Sequence, residues 1–188
     1  MTTVMKLLYT GVFELTKAHS SDIGFDLHPE SCTIHMKDGS KYDIDCTASG
    51  LVKEKRVREI LRYDAFKHMF KKNNRGVVKI VFDTGTSIAP PEGVWMMAVP
   101  NSRVCKTEGF ILQNSVGIID PGYRGKIKMT YVSVTPTDNV EDILMLMRTC
   151  GQLLPFSISL LEAEKCAKLD STTERGTNGF GSSDSSCS

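Results

Sequence analysis

The sequence predicts an all-β fold, a barrel or sandwich of short strands. Three observations carry this. Short β-rich runs recur along the chain, polar turn signals separate them, and a single stretch has the composition of a helix. At 188 residues the chain is long enough for one ordinary domain with a real core.

The N-terminal stretch MTTVMKLLYTGVFEL (1–15) has one lysine, a broken apolar run and no small-residue cleavage site, so it is read as a first strand rather than a signal peptide. SCTIHM (31–36) and KYDIDC (41–46) flank the turn signal KDGS (37–40). The stretch 51–76 then breaks the pattern, with few β-branched residues and many helix formers. Val57, Ile60, Leu61, Ala65 and Met69 fall roughly on one side of a helix, and Asn73, Asn74 and Gly76 supply its stop. Nine Lys/Arg against three acids make this helical insert basic. It reads either as a solvated helix over a sheet edge or as a surface for a protein or acidic partner.

β-rich runs resume at VVKIVF (77–82), VWMMAV (94–99), KIKMTYVSV (126–134) and LLPFSISLL (153–161), punctuated by DTGT (83–86), PPEG (90–93) and DPGY (120–123). Trp95, Met96 and Met97 are expected to pack in the core or at a subunit contact. The last residues, DSTTERGTNGFGSSDSSCS (170–188), have the composition of a disordered end. The expected organisation is a β domain over 1–169, carrying the insert, and a C-terminal arm over 170–188.

Charge and cysteine usage narrow the function. Lys+Arg 23 against Asp+Glu 22 gives a net charge of +1, without the basic footprint of a nucleic-acid binder. No apolar run is long enough to span a membrane, so no membrane partner is expected. The six cysteines are scattered with no CxxC pair, which suits thiols in a reducing compartment better than a disulfide frame or a zinc site. A cytoplasmic location is expected, or a nuclear one for a chain from a eukaryotic virus.

In Asp120-Pro121-Gly122-Tyr123, proline sits second and glycine third, the order of a type II β-turn. Such a turn brings its first and fourth residues together, so Asp120 and Tyr123 should flank one small space. A carboxylate there can serve as a general base for water, and a tyrosine ring can wall a sugar. Arg124 is either structural or phosphate-facing. The same residues also suit a plain hairpin connector. The tail stretch RGTNGFGSS (175–183) offers unshielded backbone N–H groups, hydroxyls at Ser182 and Ser183, a guanidinium at Arg175 and a stacking ring at Phe180. A segment with both phosphate ligands and a stacking group suggests a lid over a nucleotide.

Taken together, these residues resemble the trimeric deoxyuridine triphosphatase (dUTPase) family, in a form like the phage or viral members that carry an insert. DIGFDL (22–27) is similar to the family's first motif and PNSRVCK (100–106) more distantly to its second. NSVGIIDPGYRGKI (114–127) is close to the third throughout, CGQLL (150–154) shares the glutamine of the fourth, and RGTNGFGSS is close to the fifth. The resemblance implies a jelly-roll-like β fold, a homotrimer with active sites between subunits, and a C-terminal arm that closes over a site built by others. It implies hydrolysis of dUTP to dUMP and pyrophosphate with Mg²⁺.

Carried over residue by residue, the resemblance makes Asp120 the group that orients and deprotonates water. Tyr123 packs on the deoxyribose, and Asn114, Gly117 and Ile119 lie in the hairpin that binds uracil. Asp26 holds the metal through water, Ser102 contacts the phosphates, and Gln152 helps place the water. Phe180 caps the base, Gly181 borders substrate, and Arg175, Ser182 and Ser183 hold the γ-phosphate. The family's second motif has arginine where this chain has Asn101, with Arg103 or Lys106 as the substitute charge. In an extended stretch Arg103 would point away. The acid of the fourth motif is missing from MRTCGQ (147–152). A regulatory relative docking a partner on the basic insert is the alternative. A dCTP deaminase would need a glutamate on the strand after the third motif, and KIKMTYVSV has none.

Overall fold

A computed structural model describes residues 5–47, 76–107, 109–137 and 139–157, all within one compact unit, Met1–Ile158. In chain order the strands are β1 (Leu8–Thr10), β2 (Phe25–Leu27), β3 (Ser31–Met36), β4 (Lys41–Asp45), β5 (Val77–Asp83), β6 (Ser87–Ala89), β7 (Val94–Val99), β8 (Phe110–Leu112), β9 (Gly117–Ile119), β10 (Lys128–Thr137) and β11 (Gly151–Ser157). Among the described residues a 3₁₀ turn, η1 (Ser102–Lys106), precedes β8, and an α-helix, α1 (Val140–Arg148), precedes β11.

The fold is mostly β, as the recurring short β-rich runs predict. One sheet has the order β4-β3-β5-β10-β8, a second β2-β11-β7-β9, and β1 pairs with β6. Every pairing is antiparallel. Burial alternates along the strands, as period two requires. In β3, Cys32, Ile34 and Met36 are buried while their neighbours are not. Ile80 and Phe82 of β5, Met129 and Tyr131 of β10, and Met96 and Leu153 of the second sheet complete one core. Each such large side chain contributes about 1.5–3 kcal/mol by leaving water. The Phe82 and Tyr131 rings meet edge-on, 6.0 Å apart. Tyr131 donates its hydroxyl to the Cys150 carbonyl at 2.7 Å, so a buried polar group is satisfied and the first sheet is tied to the entry of β11.

Several sequence expectations are revised. The helix α1 was not anticipated. Asn139 caps it by accepting from Glu141 N–H at 3.1 Å, Glu141 and Asp142 lie in its first turn and Arg148 in its last, and Ile143, Leu144, Leu146 and Met147 are buried. Only Leu8–Thr10 of the N-terminal stretch is strand among the described residues. β10 starts at Lys128, because Lys126 and Ile127 belong to the loop before it. The helical insert expected over 51–76 lies outside the described residues apart from Gly76. Met96 is core, whereas Trp95 and Met97 are half-buried. No disulfide joins the described cysteines, of which Cys32, Cys46 and Cys150 are buried and Cys105 exposed. No helix among the described residues is long and apolar enough to cross a membrane.

Candidate functional site

The stretch 114–127 builds a cavity of about 450 Å³, bordered by Asn114, Gly117, Ile119, Asp120, Tyr123 and Lys126. Its first wall is β9. Among the described residues this strand is an edge of the second sheet, paired only with β7 through Gly117 with Ala98, Ile118 with Met97 and Ile119 with Met96. An edge strand keeps backbone donors and acceptors turned outward, available to a ligand. The tight turn feeding β9 is closed by Ser115 N–H to Leu112 C=O at 3.0 Å, and Ser115 sits at φ 59°, a conformation rarely adopted outside glycine. A Cβ on Gly117 would stand 3.6 Å from Asn114 Nδ2, so the Asn114 amide lies over the bare glycine.

The second wall is the Asp120–Tyr123 turn. Tyr123 N–H donates to Asp120 C=O at 3.0 Å, so the turn brings its first and fourth residues together as expected. It is not type II. Gly122 is absent from the positive-φ glycines, and type II requires φ above zero at that position. Proline at the second position suits type I equally, and glycine permits a positive φ without compelling it. Arg124 is structural: its Nη1 donates to Pro121 C=O at 2.6 Å and Tyr123 C=O at 2.9 Å, stapling the turn. The Tyr123 ring folds back over Gly125, where any Cβ would strike it, and its hydroxyl donates to Lys126 C=O at 3.2 Å. Asp120 is exposed, and no hydrogen bond or ion pair engages its carboxylate among the described residues.

Lys126 is a cavity residue that sequence reasoning missed. Its ammonium lies 3.1 Å from Glu30, and the hydrogen bond to Glu30, then the charges of Glu30 and Asp83, hold its pKa above the ordinary lysine value. Lys128, also at the cavity, lies 3.6 Å from Asp83. The available signal was their spacing: lysines two apart, just past the turn, share one face of the chain entering β10.

The other expected site residues that are described fall in two further places, and none of these lines the Asp120 cavity. Asp26 and Gln152 are register partners on β2 and β11, and Gln152 Nε2 donates to Asp26 Oδ1 at 3.0 Å. Both are half-buried. Ser102 and Arg103 are exposed on η1, beside a second cavity of about 640 Å³ reached from Pro100, Val104 and Phe110. The stretch is therefore not extended. Asn101, 7% exposed, is its N-cap: Oδ1 accepts from Arg103 N–H at 2.9 Å and Nδ2 donates to Thr149 C=O at 3.4 Å. Its side chain is turned inward, onto η1 and the C-cap of α1. Arg175, Phe180, Gly181, Ser182 and Ser183 lie outside the described residues.

Comparison with models of known protein families gives no match. Among curated proteins, the chain is similar to the deoxyuridine 5′-triphosphate nucleotidohydrolase of Corynebacterium diphtheriae, with 35% identity over 104 residues, 55% of this chain and 66% of that protein. The enzyme of the same name from Fusobacterium nucleatum is 31% identical over 107 residues, 57% of this chain and 70% of that protein. The chain thus spans slightly less than two thirds of the Corynebacterium relative. Among solved structures, a dUTPase of Staphylococcus bacteriophage 80alpha with dUpNHpp aligns at TM-score 0.58 and 16% identity, covering 95% of this chain and 98% of that one. A dUTPase from phage phi11 of S. aureus aligns at TM-score 0.51 and 14% identity, over 88% of this chain. These structural likenesses speak to the fold.

Proposed function

Because the chain belongs to the deoxyuridine triphosphatase family, we propose that it hydrolyses dUTP to dUMP and pyrophosphate in a Mg²⁺-dependent reaction, with Asp120 as general base. One observation carries the reading most: an unengaged carboxylate, a tyrosine ring and an outward-facing edge strand surround one cavity. Asp120 accepts the proton of the attacking water, Tyr123 packs on the deoxyribose and excludes a 2′-hydroxyl, and Asn114 with the backbone of Gly117 and Ile119 binds uracil. Arg103 and Ser102 reach the phosphates from η1, and Gln152 helps place the water. No covalent nucleophile is required for a water attacking phosphorus.

Among the described residues no group of three metal-binding side chains exists. A single half-buried carboxylate, Asp26, suits Mg²⁺, which keeps several waters and is held by one or two carboxylates plus substrate phosphates. Asp26 would supply the protein carboxylate, oriented by Gln152. Bound with the nucleotide, the ion offsets triphosphate charge.

The site is completed by neighbouring copies in a homotrimer, and residues 170–188 form an arm that brings Arg175, Phe180, Gly181, Ser182 and Ser183 over the nucleotide. Two observations support this. Within one chain the Asp120 cavity and the cavity beside Ser102 are lined by different residues, and Asp26 and Gln152 line neither. The second sheet also exposes apolar side chains, with Ile118 57% and Phe156 38% exposed and Phe156 stacked on Trp95 at 4.9 Å. Light scattering coupled to size exclusion tests the trimer. A reducing compartment, the cytoplasm or the nucleus, is proposed on the scattered thiols.

The test of the activity is pyrophosphate release with dUTP and the four common deoxynucleotides. Turnover of dUTP alone is expected, and equal turnover of all five, or none, contradicts it. A dCTP deaminase is disfavoured because β10, the strand after the turn, carries no acid. A second role, docking a protein on the basic stretch 51–76, rests on its nine basic residues. Deleting 51–75 should then abolish partner capture and leave turnover intact.

A further inference from the structure

We infer that the Asp83–Thr86 turn, DTGT, with Thr84 and Thr86 buried, is the positioning element for Tyr123, with Thr84 as its key residue, and that sugar discrimination depends on it. The inference rests on the proposed reading of Tyr123 as the wall against the deoxyribose. Its geometry stands independently.

One peptide group links the two segments. The carbonyl of Lys126 accepts the Tyr123 hydroxyl at 3.2 Å. The N–H of that same peptide belongs to Ile127 and donates to Thr86 C=O at 2.8 Å. The next carbonyl, that of Ile127, accepts twice from Thr84: from its N–H at 3.1 Å and from its hydroxyl at 2.9 Å. Thr84 is 0% and Thr86 2% exposed, and Ile127 is itself buried. Hydrogen bonds sealed from water hold geometry more tightly than exposed ones. The Thr84 hydroxyl also accepts from Thr86 N–H at 3.1 Å, so it braces both halves of the turn. Gly85, at φ 66°, leaves the space the Glu30 carboxylate occupies, and that carboxylate pairs with Lys126. Tyr123 itself is 47% exposed, with its ring over Gly125. Its placement is borrowed from the DTGT turn through the Lys126–Ile127 peptide.

Thr84→Val keeps the side-chain shape and deletes the hydroxyl, whereas Thr84→Ser keeps the hydroxyl. In the full-length protein, kcat/KM for dUTP and for UTP and the amide hydrogen exchange of residues 120–127 are measured for both variants. The expected result for Thr84→Val is a loss of dUTP-over-UTP preference of about tenfold, with faster exchange at 120–127. Thr84→Ser should retain both. A purely structural role would lower the amount of folded protein without changing the ratio. Tyr123→Phe, at an exposed position, removes the tether alone and keeps the test alive if Thr84→Val does not fold. It should lose preference on its own, and the double variant should be no worse than Thr84→Val. Unchanged preference and exchange in Thr84→Val, unchanged preference in Tyr123→Phe, or additive losses in the double variant overturn the inference. If the wild type turns over neither nucleotide, the proposed reaction fails, while exchange at 120–127 still decides the clamp.

Discussion

Gln152 donates its side-chain amide to the Asp26 carboxylate at 3.0 Å, although 126 residues separate them. The register of β2 against β11 makes them direct neighbours. An amide fixed on one carboxylate oxygen orients the other, which is how a single acid can present a defined lone pair to a hydrated ion.

Asp26→Asn should therefore raise the Mg²⁺ concentration needed for half-maximal turnover by about tenfold. Gln152→Ala should do so less, by freeing the carboxylate to rotate. Titration of turnover against Mg²⁺ measures both, and unchanged curves would separate the pair from the metal.

Restoring the family's arginine at Asn101 should not raise dUTP turnover. Asn101 is buried and spends both ends of its amide on η1 and Thr149. Asn101→Arg loses the cap, worth about 1 kcal/mol, and must place a guanidinium where there is little exposure. A lowered Tm without a gain in kcat is expected from thermal unfolding and steady-state assays. A rise in kcat would show that the position faces phosphate.

Gly125→Ala should raise KM for dUTP while leaving Tm nearly unchanged. The added methyl would strike the Tyr123 ring and push it from the cavity. The position is exposed, so stability should move by no more than about 0.5 kcal/mol.

Burial pushes the Tyr131 phenol above its ordinary pKa, with Cys150 adding to the shift. The unfolded phenol ionises near the reference value of about 10, and the folded one resists. Stability from this group is thus full below that pH and is lost as pH rises beyond it. Alkaline unfolding followed by circular dichroism and phenolate absorbance should show Tyr131 ionising only with unfolding, and Tyr131→Phe should flatten that part of the stability curve.

How much was legible beforehand depended on segment length and on contact range. β3, β5 and β7 alternate over six or seven residues and declare themselves. β2, β8 and β9 have three residues each, too few for a period, and exist because neighbouring strands pair with them. The α1 segment VEDILMLMR had usable signals, the Asn139 cap and two first-turn acids, but its apolar run is as compatible with a buried strand. Asp120 and Tyr123 could be joined from sequence because a turn is local. Lys126 with Glu30, Asn101 with Thr149, and Thr84 with Ile127 are long-range contacts set by register, and no single-sequence pattern encodes them. The type of the 120–123 turn was misjudged because proline and glycine tolerate both forms.

The central claim is that Asp120 activates water against a triphosphate. The most direct measurement is dUMP and pyrophosphate formation by Asp120→Asn beside equilibrium binding of a nonhydrolysable dUTP analogue. The expected result is a fall in kcat of at least about a hundredfold with analogue affinity within a few-fold of wild type. Wild-type turnover by Asp120→Asn would contradict the account.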